Sequence, residues 1–295
     1  MKHLVAVLVA ISLFSACTAG PQPSQSTGAP GAINVVTTTT VFADLVKQVG
    51  GDRVTVHSLV PKGGEVHTFD PAPSDAAAVT GARLLVLNGL GLDDWLLSFA
   101  QEAGAANVPT LELATNVDEV EYIDDNPHLW MNPVYAQIYA DRIRLKLIEI
   151  DAQGQQTYDA NADAFYGQLD ELNIWARQQM DTIPADQRRI VSFHDAFPYF
   201  AGAYDLEIVG VVVEAPGQDP SAAEVANLVT AIRQTGVKAI LSETQFSDEL
   251  AQTIAAEAGA TVVSDLYTDT LGDPPLDTYE AAIRYDVEQI AGALR

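Results

Sequence analysis

Histidine is scarce in this 295-residue chain, which holds five, and three of them sit where chemistry is available. His67 lies in PKGGEVHTFDPAPSD (61–75), a loop rich in glycine and proline, and His128 lies in DDNPHLWMNP (124–133), ahead of a helix. His194 directly follows the strand run RIVSF and is expected to open a helix from Asp195. A fourth segment, DLYTDTLGD (265–273), offers Asp265 and Asp269 as carboxylates. Three imidazoles and one carboxylate suit a borderline divalent ion such as Zn²⁺, which takes His nitrogen and Asp oxygen at about 2.0–2.1 Å in tetrahedral sites. Four protein ligands would close the shell, and a closed shell holds metal, whereas a catalytic zinc keeps a position for water. Taken singly, each histidine reads more readily as a cap or a surface residue, and the long separations contain no local metal motif such as HExxH. His57 sits inside the strand run RVTVHSLV and His3 in the leader, so neither is given a role.

The elements that must position these residues follow from periodicity. Short β-branched runs start at Ile33, Arg53, Arg83, Pro109, Arg189, Leu206, Lys238 and Ala260 and alternate with amphipathic stretches. That alternation predicts an α/β fold with mainly parallel sheets. From about Gln155 to Thr182, Tyr158, Ala162, Phe165, Leu169, Leu172 and Trp175 recur at intervals of three and four, which predicts one long helix stopped by Pro184. At 1.5 Å per residue it spans roughly 40 Å. The expected organisation is an N-terminal lobe (33–152), a linker helix (153–184) and a C-terminal lobe (185–295). His67, His128, His194 and the acidic loop all leave strand carboxyl ends, the edge at which open parallel sheets bind ligands.

The first sixteen residues pair Lys2 with an apolar run from Leu4 to Leu13 and reach Ser15, Ala16 and Cys17. This is the pattern of an export signal, too short for a membrane span, ending at a cysteine suited to lipidation. Residues 18–31 contain no large apolar side chain and read as a tether. Cys17 is the only cysteine, so no disulfide forms within the chain. A net charge of −25 argues against direct partnership with nucleic acid or an anionic bilayer and favours a cationic ligand.

The strings themselves resemble the metal-binding receptors of bacterial zinc and manganese ABC importers, the cluster 9 or TroA-like solute-binding proteins. PKGGEVHTFDPAPSD, NPHLWMNP, VSFHDAFPYFA and LYTDTLG are similar to that family's four ligand segments, in the right order. GQDPSAAEV (217–225) and the ending TYEAAIRYDVEQIAGAL match its style, so the resemblance covers everything from about Ile33 onward. It implies His67, His128, His194 and Asp269 as ligands, with Asp269 preferred to Asp265, and two α/β lobes joined by one long helix. It also implies a monomeric extracytoplasmic receptor, held to the membrane only by its lipid, that delivers metal to an ABC permease and catalyses nothing. The third histidine resembles the zinc-linked branch, and imidazole-rich sites suit Zn²⁺ where carboxylate-rich ones suit Mn²⁺. Zinc is therefore the expected cargo and manganese the alternative. Val66, Asn126 and Asn132 depart from the family pattern, in which proline precedes the first ligand and aspartates flank the second.

Two other functions fit parts of the sequence. A metallohydrolase would pair His194 with Asp195 as a base, but the chain lacks a GxSxG elbow and an HExxH helix, and GLGLDD (89–94) matches only the start of a dinucleotide loop. An adhesin role is open to any surface lipoprotein, without a repeat or low-complexity stretch to support it. The acidic loop VDEVEYIDDN (117–126) could gather cations or simply be solvated.

Overall fold

Alternating apolar strand runs and amphipathic helices fold into two parallel sheets. The structure is a computed structural model that describes residues 31–214 and 216–295; the leader, Cys17 and most of the tether lie outside the described residues. In the N-terminal half the order is β1 (Ile33–Thr37), α1 (Thr40–Gly50), β2 (Val54–Ser58), α2 (Ala76–Gly81), β3 (Leu84–Leu87), α3 (Trp95–Glu102), β4 (Thr110–Glu112) and α4 (Pro133–Ile150). Helix α5 (Gln155–Met180) follows, and the second half runs β5 (Arg189–His194), α6 (Pro198–Tyr204), β6 (Glu207–Val213), α7 (Ala222–Thr235), β7 (Ala239–Glu243), α8 (Glu249–Ala258), β8 (Thr261–Leu266) and α9 (Tyr279–Leu294). The sheets are ordered β2-β1-β3-β4 and β6-β5-β7-β8, and all their pairings are parallel. Each sheet therefore reverses direction beside its first strand, where a crevice opens at the carboxyl edge.

Strands buried on both faces read as continuous apolar runs, and β3 is the plainest case: Leu84 and Val86 enter one core while Leu85 and Leu87 enter another. The central core draws on both halves. It holds Phe42 and Leu45 of α1, Tyr139 and Ile143 of α4, Leu169 and Leu172 of α5, Leu241 of β7, and Ile283 and Val287 of α9. Smaller cores cover the outer faces, with Val36 and Leu96 on one sheet and Val191, Ile240 and Ile254 on the other.

Local signals fix the helix ends. Ser221 and Glu224 form a capping box at α7, which Gly236 closes in the left-handed conformation that glycine adopts without strain. Helix α5 buries Tyr158, Ala162, Phe165, Leu169, Leu172, Ala176 and Met180 along one face, and truncating either leucine to alanine would cost about 2–5 kcal/mol. Trp175 is only partly buried and carries the Arg284 guanidinium 4.7 Å from its ring centre. One expectation needs correction. His194 closes β5 instead of opening a helix, and α6 begins at Pro198, whose missing N–H suits a first helical turn. No helix among the described residues is long and apolar enough to cross a membrane.

Candidate metal centre

His67 follows β2 on a loop, His128 follows β4, His194 ends β5 and Asp269 follows β8, so all four lie at sheet carboxyl edges. The lobes face each other there, and one ligand atom from each residue falls within 4.8 Å of those of the other three. His128 Nε2 and His194 Nε2 are 3.3 Å apart, and Asp269 lies 3.5 Å from His194 Nε2, 3.6 Å from His128 Nε2 and 3.7 Å from His67 Nε2. Two atoms each about 2.05 Å from a tetrahedral centre are about 3.3–3.4 Å apart, so the His128–His194 pair and the Asp269 contacts are near that spacing, while the cluster as a whole, within 4.8 Å, must draw in around an ion. Asp265 is exposed on β8 and takes no part, and His57 is exposed on β2.

Strand pairing aims His194. β5 and β7 are neighbours with Ser192 opposite Leu241, and two residues further His194 meets Glu243, whose Oε1 lies 2.7 Å from Nδ1. A carboxylate there holds the proton on Nδ1 and leaves Nε2 for metal, the usual arrangement behind a ligating imidazole. The His194–Asp195 base pair required by a hydrolase is not formed, because Glu243 occupies Nδ1. Asn126 does the corresponding work for His128, with Oδ1 at 3.1 Å from Nδ1. Asn132 instead caps α4 by accepting from the Val134 N–H at 3.0 Å. Gln245 donates to Asp269 Oδ2 at 3.2 Å, and Glu65 accepts the His67 N–H at 2.7 Å. Direct bonds also join the lobes. Trp130 Nε1 donates to the Thr268 carbonyl at 2.8 Å, and the Tyr279 hydroxyl donates to the Trp130 carbonyl at 2.6 Å.

Burial shapes the protonation of the cluster. It lowers His67 to about 3, with repulsion from His194 adding, and holds His128 well below the ordinary imidazole value with the same help. Burial also acts to lower His194, but the Glu243 and Asp269 carboxylates outweigh it and push the group up to about 9. Burial lifts Asp269 to about 7 against the pull of His194. Buried, unpartnered polar atoms gather here: His67 Nε2, Asp269 Oδ1, Glu65 Oε2 and Glu243 Oε2. Orphaned polar groups of this kind are costly unless a partner arrives, and a divalent cation would satisfy His67 Nε2 and the Asp269 carboxylate. A cavity of about 450 Å³ leads to the three imidazoles, with Asp124, Asp125, Asp195 and Glu214 among its lining.

His67, His128, His194 and Asp269 are thus brought together, while Glu243 and Gln245 carry no signal in the sequence, and Glu65 and Trp130 lie in the quoted ligand segments without standing out. Residues 35–293 match the family described as zinc-uptake complex component A, periplasmic (ZnuA). The chain is 29% identical over 294 residues to the manganese-binding lipoprotein MntA of Halalkalibacterium halodurans, covering 98% of this chain and 97% of that protein. It is 31% identical over 265 residues to the iron-binding protein YfeA of Yersinia pestis, covering 87% and 85% respectively. A crystal structure of ZnuA matches with a TM-score of 0.79 at 30% identity, covering 90% of this chain and 100% of that one. The periplasmic zinc-binding protein TroA of Treponema pallidum shares the fold with a TM-score of 0.82 at 22% identity, covering 90% and 99%.

Proposed function

The chain belongs to the family of zinc-uptake complex component A, and we propose that it captures Zn²⁺ between its lobes through His67, His128, His194 and Asp269. As a member of that family it is the extracytoplasmic substrate-binding component of a metal ABC transporter, not an enzyme, and its counterpart is a membrane permease. The ion is cargo. The observation that supports the ligand assignment is the convergence of four separated ligand atoms within 4.8 Å, with His128, His194 and Asp269 at 3.3–3.6 Å from one another.

Zinc is favoured over manganese because the set has three imidazoles to one carboxylate, and imidazole-rich sites suit zinc. The relatives named for manganese and iron mark the competing readings. The protein acts as a monomer tethered through a lipid on Cys17, so that the loaded form stays near its permease. Titrating the tag-free chain with Zn²⁺ and with Mn²⁺ tests the cargo: one ion per chain is expected, with zinc bound more tightly. Tighter manganese binding would overturn the zinc assignment, and unchanged zinc affinity in Asp269→Ala would overturn the ligand set.

A further inference from the structure

Asn126 lies two residues before His128, and its side-chain amide touches both lobes. Oδ1 accepts the His128 backbone N–H at 3.0 Å and faces His128 Nδ1 at 3.1 Å. Nδ2 donates to the Asp195 carbonyl at 2.6 Å and to Asp195 Oδ2 at 3.0 Å. The neighbours fix which end of the amide points where. A backbone N–H can only donate and a carbonyl can only accept, so a flipped amide would set donor against donor and acceptor against acceptor. With oxygen committed to His128, the imidazole must carry its proton on Nδ1, which frees the Nε2 lone pair.

Asp195 directly follows His194, so a single amide spans from one imidazole to the neighbour of another. The Tyr199 hydroxyl closes the same junction, donating to the Asn126 carbonyl at 3.0 Å and accepting from the Ile123 N–H at 3.1 Å. Asn126 itself is 9% exposed, so little water is available to replace these bonds.

We propose that Asn126 is an interlobe positioning residue: one amide sets the tautomer of His128 and clamps the loop before α4 to the turn after β5. Presenting Nε2 to the ion and holding the rim shut are then a single event. An aspartate at this position would still accept from His128. Its other oxygen would face the Asp195 carbonyl and carboxylate, acceptor against acceptor, and the rim would be pushed open. The clamp rests on the reading of His128 as a ligand, and the experiment separates the two.

Asn126→Asp changes one atom and keeps the His128 contact. In the full chain loaded with one equivalent of Zn²⁺, transfer of zinc to excess chelator should be about tenfold faster in this variant, the lower end of the effect of groups that orient ligands. The double variant Asn126→Asp/Asp195→Asn regains a donor facing the new carboxylate and should release zinc several-fold more slowly than Asn126→Asp alone. Asp195→Ala approaches the clamp from the other lobe, leaves Asn126 and His128 in place, and should also speed release. A merely structural role would not produce rescue by the reciprocal pair. His128→Gln should lose affinity; wild-type affinity in that variant would overturn both the ligand reading and the clamp. Lost affinity in His128→Gln with wild-type release from Asn126→Asp and Asp195→Ala would overturn the clamp alone.

Discussion

In the C-terminal lobe His194 is the last residue of β5 and Glu243 the last of β7, so the pairing of adjacent strands aims the imidazole. The N-terminal lobe has the same strand order, yet its histidines sit on loops and depend on Glu65, Asn126 and contacts across the cleft. The side chain of His67 is 18% exposed, against 1% for His194 and 0% for Asp269. His194 is built into the sheet, Asp269 is fully buried in the loop after β8, and the N-terminal histidines must be brought to them. A loop can adjust around a missing neighbour, whereas a residue at the end of a buried strand cannot.

The largest effect should come from the rigid half. His194→Ala or Asp269→Ala should weaken zinc binding about 100-fold or more, and His67→Ala about tenfold, if structural-zinc binding energies of about 10–16 kcal/mol are shared among four unequal ligands. Calorimetry on the three variants checks this, and equal losses would break the distinction between the lobes. Glu243→Gln should come next, at about 10–100-fold, because outer partners of metal-ligating histidines have effects of that size. It should also shift the pH at which zinc binds, which a packing defect would not do.

The pH dependence sharpens the same contrast. His194 rises from 6.5 to about 9 in the fold, so it stabilises the metal-free protein below pH 6.5, and that stability is lost as pH rises through about 9. Asp269 rises from 3.8 to about 7, so its ionisation costs stability over that interval. His67 falls from 6.5 to about 3, so it costs stability as the medium is acidified through that range. An incoming ion must displace the His194 proton. Zinc affinity should therefore climb by up to about tenfold per pH unit from about 7 to 9, and the thermal shift caused by zinc should grow with it. A flat profile above pH 7 would mean that the strand-end imidazole is already neutral. Least in its effect on zinc is Trp130→Phe, which removes the bond to the Thr268 carbonyl. It leaves a buried carbonyl unpaired and a smaller ring in the core, so it should lower stability by about 1–3 kcal/mol or more, with little effect on zinc affinity; a loss of affinity as large as that of Glu243→Gln would move the emphasis to the loops.

Much of this was legible in the sequence. The eight apolar runs and the three- and four-residue spacing along α5 reappear as strands and helix, because buried parallel strands and amphipathic helices leave strong periodic marks. His67 and His128 stand out in the sequence as scarce histidines on loops and His194 as one at a strand end, whereas Asp269 is preferred to Asp265 only through the family resemblance. Glu243 does not stand out. A lone glutamate after AILS looks like the polar end of any strand, and its partner is 49 residues away, so only strand order reveals the pair. The departure at Asn126 was visible, and its hold on His128 followed from amide chemistry, but its reach to Asp195 needed the lobes in place. The shared core was also hidden, because periodicity identifies an apolar face without naming what it packs against.

Helix α5 behaves as a spine about 39 Å long, packed against both halves through α1, α4 and α9. A lever arm of about 20 Å leaning by about 5° moves its tip by nearly 2 Å, almost the length of a metal–nitrogen bond. A slight lean of one half is therefore enough to lengthen a ligand contact beyond bonding distance. A permease that tugs gently on the rim could pull a ligand off the ion while the spine stays straight.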